Sequence, residues 1–356
     1  MNKARDAFIH EMPTLLQQCN DLALGKFYHL TMDFVGDYAT GYQLGGPIYL
    51  VLDNSIIQDF KHKESDPKRA LRAHAYTAFC RFVTGWSDRK THIAVSPVAV
   101  YEHLGRRAAP TGGAAWAAMS ELHRLLYPTK MSCHSIRFSS PDELVAALRD
   151  IEFDAEFLTQ YAKTIDTSDW KLDLKTPFGV KIPISIADAA IPNQLPLKYF
   201  DPWYVKFTFT SRIEQLIMEQ SKDNPDAQPI GSGELTKELS DLNEFKRGVL
   251  TGLGDIDLLQ ICDVSRQYKQ QTDYVLLGQT FDRGLNRVLR LRHVFHEARS
   301  MEGGHPNVGE QASEMVRFMF SNPFAKQDER LAIITPRIID FIDAMTEACL
   351  QVQARR

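Results

Sequence analysis

The sequence predicts an α/β fold built on a mostly parallel sheet, and three apolar runs carry that expectation. They are Ile48-Tyr49-Leu50-Val51-Leu52, His92-Ile93-Ala94-Val95-Ser96 and Tyr274-Val275-Leu276-Leu277-Gly278-Gln279-Thr280. None alternates polar with apolar residues as a strand with one wet face would, so each reads as a strand covered on both sides. Helical periodicities separate them, which is the βα alternation of a parallel sheet.

Taken in order, residues 4–24 read as a helix with Phe8, Met12, Leu15, Leu16 and Cys19 on one stripe, broken at Gly25. Residues 26–45 are aromatic and Gly-rich and carry no assignable pattern. The first strand ends in Asp53-Asn54-Ser55. Pro67 opens a helix to about Val83, closed by Gly85 and Trp86. After the second strand, Pro97 occupies the first turn of a helix, where its missing N–H costs nothing; that helix carries Val98, Tyr101, Glu102 and Leu104. Gly105, Pro110, Gly112 and Gly113 form a loop before a helix over 114–126. A short strand is expected within 131–138 and a short helix over 141–149.

Residues 150–232 change character. Prolines recur at Pro177, Pro183, Pro192, Pro196, Pro202, Pro225 and Pro229. Helices are expected at 153–164 and 204–221, a surface linker at 223–233 and an amphipathic helix over 234–250. Asp255-Ile256-Asp257 opens a further helix with Leu258, Leu259, Ile261, Cys262 and Val264 inside it. The third strand leads into a helix from Asp282 to about Arg299, and helices near 308–320 and 327–353 follow. There is no internal repeat and no low-complexity tract.

Bulk properties narrow the function classes. The chain has 356 residues, 44% hydrophobic and 24% charged, ample for a full core. A formal net charge of -4 does not by itself favour nucleic-acid binding, so local charge has to carry any such reading. Five scattered cysteines without a CxxC pair indicate neither a zinc knuckle nor a disulfide framework, and reduced thiols in a cytoplasmic protein are the simplest account. The opening MNKARDAFIHEM lacks a secretory pattern, and no apolar stretch approaches the length of a membrane span, so no membrane association is expected.

In a parallel sheet the ligand site lies beyond the carboxyl ends of the strands. Asp53 directly follows the first strand and Asp282 lies two residues beyond Thr280. Glu102 sits nearly two turns into the helix after the second strand, and Asp255 and Asp257 open the helix before the third. Adjacent parallel strands would bring these acids to one edge. Clustered carboxylates repel one another, and a divalent cation relieves the repulsion. Mg²⁺ and Mn²⁺ prefer such hard oxygen ligands and can activate a water for phosphodiester cleavage.

These pieces resemble the PIN-domain nucleases. In that family an Asp ends the first strand and a Glu lies in the helix after the second. An Asp opens a helix before the last catalytic strand, and that strand leads into a Thr-x-Asp turn. Here they correspond to Leu52-Asp53-Asn54-Ser55, Ser96-Pro97-Val98-Ala99-Val100-Tyr101-Glu102, Gly254-Asp255-Ile256-Asp257-Leu258-Leu259 and Leu276-Leu277-Gly278-Gln279-Thr280-Phe281-Asp282-Arg283. The resemblance covers roughly 46–140 and 245–300. It implies a three-layer PIN-like fold and an endonuclease that cleaves RNA, more often than DNA, with Mg²⁺ or Mn²⁺. The stretch from Glu102 to Asp255 is far longer than in small family members. Residues 141–244 therefore read as an insertion in a nuclease domain over 46–300, between an extension at 1–45 and C-terminal helices at 301–356. Those extra helices would serve a particular substrate, a homodimer or a controlling protein partner. The third acid stays open between Asp255 and Asp257; Asp257 is favoured because the apolar helix face starts directly after it.

Each acid also has a duller reading. Asp53, Asp255 and Asp282 suit helix N-caps, although Ser55 could cap in place of Asp53, and Glu102 could be a solvated helix residue. Arg283, Arg287 and Arg290 fall at helical spacing and, with Arg106 and Arg107 after Glu102, suit phosphate recognition or merely a solvated face. His293, His296 and Glu297 do not form HExxH, and His103 should face away from Glu102. There is no GxSxG elbow and no GxxxxGK[ST] loop, and Asp53-Asn54-Ser55 lacks the Asp-x-Asp of a phosphoaspartate enzyme. The competing class is a catalytically silent PIN-like scaffold that binds protein or nucleic acid.

Overall fold

The computed structural model describes residues 2–162, 253–262, 273–282, 285–286, 289 and 327–356. Helices α1 (Asn2–Leu15) and α2 (Asp21–Leu44) precede β1 (Ile48–Leu52), α3 (Asn54–His62) and α4 (Pro67–Gly85). There follow β2 (Thr91–Val95), α5 (Pro97–His103), α6 (Gly112–Leu126), a 3₁₀ turn at Tyr127–Thr129, β3 (Cys133–Ser135) and α7 (Pro141–Ala162). Beyond these lie α8 (Leu253–Ile261), β4 (Val275–Gln279) and α9 (Gln327–Ala354).

The strands form one four-stranded, all-parallel sheet in the order β3-β2-β1-β4. The three apolar runs are thus neighbours, and the two separated pieces of sequence meet where Leu52 pairs with Gln279. Side chains alternate across a strand. Ile48, Leu50 and Leu52, with Ile93 and Val95, enter the large core to which α1–α7 and α9 contribute. Val51 and Ala94 point the other way, into a smaller cluster with Leu258, Ile261 and Cys262 at α8 and with Leu285. Helices therefore cover both faces.

Several elements differ from expectation. The first helix does not run to 24: it ends at Leu15, and the Asn20 side chain caps a new helix by accepting from the Ala23 amide at 2.9 Å. That helix continues through Gly25, Gly36 and Gly41 to Leu44. Glycine costs a helix up to about 1 kcal/mol, and tertiary packing overrides it here. Phe27, Phe34, Val35, Tyr38 and Tyr42 line the buried side of α2, and Phe34 stacks on Phe79 of α4 at 5.5 Å. The loop assigned to Gly112 and Gly113 is helix, because Thr111 caps α6 two residues early. Helix α7 extends well past 149, joining two expected helices into one. The expected elements at 204–221, 223–233, 234–250 and 308–320 lie outside the described residues.

Helix α9 is clamped to the N-terminal part of the chain. Phe341 packs edge-on against Phe8 and Trp86, with ring centroids 5.1 Å away in both cases. Asp340 accepts from Arg5 Nη1 and from the indole Nε1 of Trp86, both at 2.7 Å. Among the described residues, no helix is long and apolar enough to cross a membrane.

Replacing Asp340 with Ala should leave the 3% exposed Trp86 without its indole acceptor. The expected loss is about 1–3 kcal/mol in urea unfolding, the usual cost of a buried donor stripped of its partner. A loss below about 0.5 kcal/mol would mean that apolar packing alone holds α9.

Candidate functional site

The strand alternation that builds the two cores also builds the site. Continuing the face of Tyr49 and Val51 by one step brings Asp53 onto the α8 side of the sheet. The same step past His92 and Ala94 brings Ser96, and past Leu276 and Gly278 brings Thr280. Three polar side chains thus stand at the carboxyl ends of neighbouring strands, and α8 lies over that face with Asp257 in its first two turns. The chain order steps from β1 outward to β2 and β3, then returns to β4 on the other side of β1. The sheet therefore has its topological switch point between β1 and β4, at Asp53 and Thr280, where open α/β sheets form their binding crevice.

Asp53 is only 8% exposed. It precedes α3 without capping it through its side chain. Instead Asp53 Oδ2 accepts from the Ser55 hydroxyl and from Thr280 Oγ1, the latter at 2.8 Å, and its amide donates to the Gln279 carbonyl at 2.9 Å. Burial raises the Asp53 carboxyl above its ordinary value against the pull of those hydroxyls, and the Asp282 charge adds to the rise. The turn that carries Thr280 and Asp282 is fixed from below. Phe281 packs edge-on to Phe34 at 5.0 Å, and the Arg72 guanidinium lies 5.8 Å from its ring centre. Arg72 is itself held by two 2.6 Å bonds to the buried Asp59.

Asp282 serves as a cap, accepting from the Leu285 amide at 2.9 Å, while its own amide donates to Thr280 Oγ1 at 3.0 Å. It is exposed, and its charge is felt at Asp53.

Glu102 reaches inward from the last turn of α5, its side chain 8% exposed. Its carboxylate lies against the start of α8, so close that a Cβ at Gly254 would come within 2.6 Å of Oε2. A larger residue there would push the carboxylate aside. Burial, reinforced by the charges of Asp53 and Asp257, raises the Glu102 carboxyl to about 7 despite Arg106. Arg106 approaches Glu102 Oε1 at 3.4 Å, and Arg107 is exposed beside it.

Asp257 is 5% exposed and pairs with Arg137 Nη1 at 2.8 Å. Burial raises its carboxyl, and Arg137 and a hydrogen bond with Ser96 oppose the rise. Asp255 sits in the first turn of α8 and is half-exposed. His103 faces away from Glu102, as its neighbouring helix position requires, and points Nε2 at Glu121, 3.5 Å off. Arg283, Arg287, Arg290, His293, His296 and Glu297 lie outside the described residues.

Asp282, Asp53, Glu102 and Asp257 thus form a chain of electrostatically coupled acids along one sheet edge. Their oxygens suit a hard divalent cation, and the charges of Asp53 and Asp257 add to the burial that raises Glu102. Their orientation is another matter. Among the described residues no three His, Cys, Asp or Glu side chains are grouped to hold a metal ion. Each acid is turned to a local partner: hydroxyls for Asp53, an amide for Asp282, arginines for Glu102 and Asp257. Strand parity could have singled out Ser96 and Thr280 from sequence; nothing local marked Arg137. No protein-family model, curated protein or solved structure matches this chain.

The raised Glu102 carboxyl has a sign-definite consequence. The folded protein keeps this proton up to about pH 7, whereas an unfolded chain releases it near 4.5. The folded state therefore binds more protons across that window, and stability falls as pH rises through it. Glu102→Gln should be more stable than the parent at pH 8 by at most about 3 kcal/mol, with the gap closing toward pH 4.5. Urea midpoints in chelator at pH 5 and pH 8 measure this, and a gap independent of pH would contradict it.

Proposed function

We propose that this protein is a metal-dependent nuclease that hydrolyses phosphodiester bonds, with RNA as the preferred substrate and the cytoplasm as its compartment. The observation that carries the reading is the coupled row of Asp282, Asp53, Glu102 and Asp257 at the switch point of a parallel sheet. The sequence resemblance to PIN-domain nucleases, including the Thr-x-Asp turn, supports the same reading. Asp53, Glu102, Asp257 and Asp282 would hold Mg²⁺ or Mn²⁺, with Asp255 in reserve. A cation held there would supply a water of lowered pKa and offset charge on the leaving oxygen.

The chain's own residues do the rest. The Ser55 and Thr280 hydroxyls, with the Ser55 backbone, fix the Asp53 carboxylate in place. Glu102, near 7, can take or give a proton at neutral pH. Gly254 lets its carboxylate approach α8. Arg106 and Arg107 at the rim suit a backbone phosphate, as would the basic face expected from Arg283, Arg287 and Arg290.

A second reading has a specific observation in its favour. Arginines already pair with Glu102 and Asp257, and no metal-holding group is assembled among the described residues. A silent scaffold that binds nucleic acid or a protein partner would look this way. Titration of Mn²⁺ against thermal unfolding separates the two, because a cation bound only by the folded state raises the midpoint with concentration.

The direct test is incubation with single-stranded RNA and DNA in Mn²⁺ and in chelator. Cleavage should require the metal and fall at least about a hundredfold in Asp53→Asn, while that variant, relieved of a buried charge, stays folded. Equal cleavage by the variant would remove Asp53 from the chemistry.

A further inference from the structure

Arg137 follows the edge strand β3 and adopts a left-handed backbone, with φ of 67°. Only two other non-glycine residues among those described have positive φ, Arg106 and Lys130. Two of the three are therefore arginines on site carboxylates: Arg106 on Glu102 and Arg137 on Asp257. Such a conformation is unfavourable for a long side chain and persists where something holds it.

The Asp257 contact uses little of the guanidinium. Among the described residues, Nη1 makes its one hydrogen bond, to Asp257 Oδ1 at 2.8 Å. The side chain is 46% exposed, against 6% for its partner. A planar guanidinium has five N–H donors in a fork that matches the oxygens of a phosphate. Asp257 thus anchors one corner of the group and leaves its remaining donors at the solvent rim of the site. A structural ion pair meant only to neutralise Asp257 would gain by engaging the arginine bidentately, as Arg72, itself 36% exposed, engages Asp59 in this same protein through two 2.6 Å bonds.

We infer that Arg137 is a substrate-binding residue, parked on Asp257 so that its free donors receive a backbone phosphate of a single-stranded nucleic acid. This rests on the nuclease reading and adds a direction to it. The strand order β3-β2-β1-β4 sets Arg137, beyond β3, at one end of the row of acids, with Asp53 and Asp282 at the β1–β4 switch point at the other. The strand then runs across the carboxyl ends of the sheet, from the switch point toward β3, with a phosphate on Arg137 outside the one that reacts. The backbone is recognised there without reading its bases.

The test is binding of a fluorescent single-stranded RNA oligonucleotide to the full chain in chelator, where no cleavage complicates the reading, over a series of salt concentrations. Arg137→Gln should weaken binding roughly tenfold at low salt and reduce the slope of log affinity against log salt by about 0.7, one phosphate contact on a single strand. Because Arg137→Gln also strips the buried Asp257 of its partner, the double variant Arg137→Gln/Asp257→Asn removes guanidinium and stranded charge together. It should bind as weakly as the single variant. Asp257→Asn alone, which keeps the guanidinium, should bind at least as tightly as the parent. Parent-like affinity and slope in the double variant overturn this assignment and leave the nuclease reading standing. If the parent itself binds neither RNA nor DNA, both fall together.

Discussion

The parallel pairing of β1 with β4 is the constraint on which the site depends. These strands are more than two hundred residues apart in sequence, yet Ile48 to Leu52 lie in register with Val275 to Gln279. That register is not negotiable, because a slip of one residue would turn every side chain to the opposite face. Leu50 would leave the large core, and Asp53 would swing away from α8. Burial of the strand interiors thus fixes, as a by-product, the heights and directions of Asp53 and Thr280. The apolar core and the polar edge are two readouts of one alternation.

The polar edge works against stability, and the surrounding structure shows how the cost is met. Asp53 is supported by two hydroxyls, Asp257 by a guanidinium and Ser96, and Asp282 is given a backbone amide. Among the described residues Glu102 is held only by Arg106 at a long 3.4 Å, and its proton affinity rises chiefly through burial, with the charges of Asp53 and Asp257 adding to it. Retaining several buried acids in one place opposes folding. A protein keeps such an arrangement most readily where another positive group completes it.

The sheet and part of the site were legible in the sequence for one reason: long-range burial leaves a local mark. Unbroken apolar runs named β1, β2 and β4, and the acids at their ends followed from where parallel sheets bind ligands. Helix α2 was not legible, because Gly25, Gly36 and Gly41 erase its local propensity while its stability comes from aromatic packing against α4. Gly41 even has a purpose that only the folded chain reveals, since a Cβ there would strike Leu277 of β4. Arg137 was invisible for a related reason. It follows a three-residue strand, and its partner lies 120 residues away, so no spacing rule connects them. Sequence patterns report a residue's element well and its distant partner poorly.

The clamp of α9 on α1 and α4 bears on how the protein reaches its fold during synthesis. Arg5 and Asp340 are separated by 335 residues, and Phe341 fills the space beside Phe8 and Trp86. A ribosome delivers α1 and α4 long before α9, so the aromatic surface around Trp86 must wait uncovered while most of the chain is still being made. Contacts this distant in sequence slow closure and lengthen the exposure of apolar surface. The same holds for β1, which presents an unpaired edge until β4 emerges. Helix α9 is thus the element that closes this aromatic surface, and it does so late relative to α1 and α4.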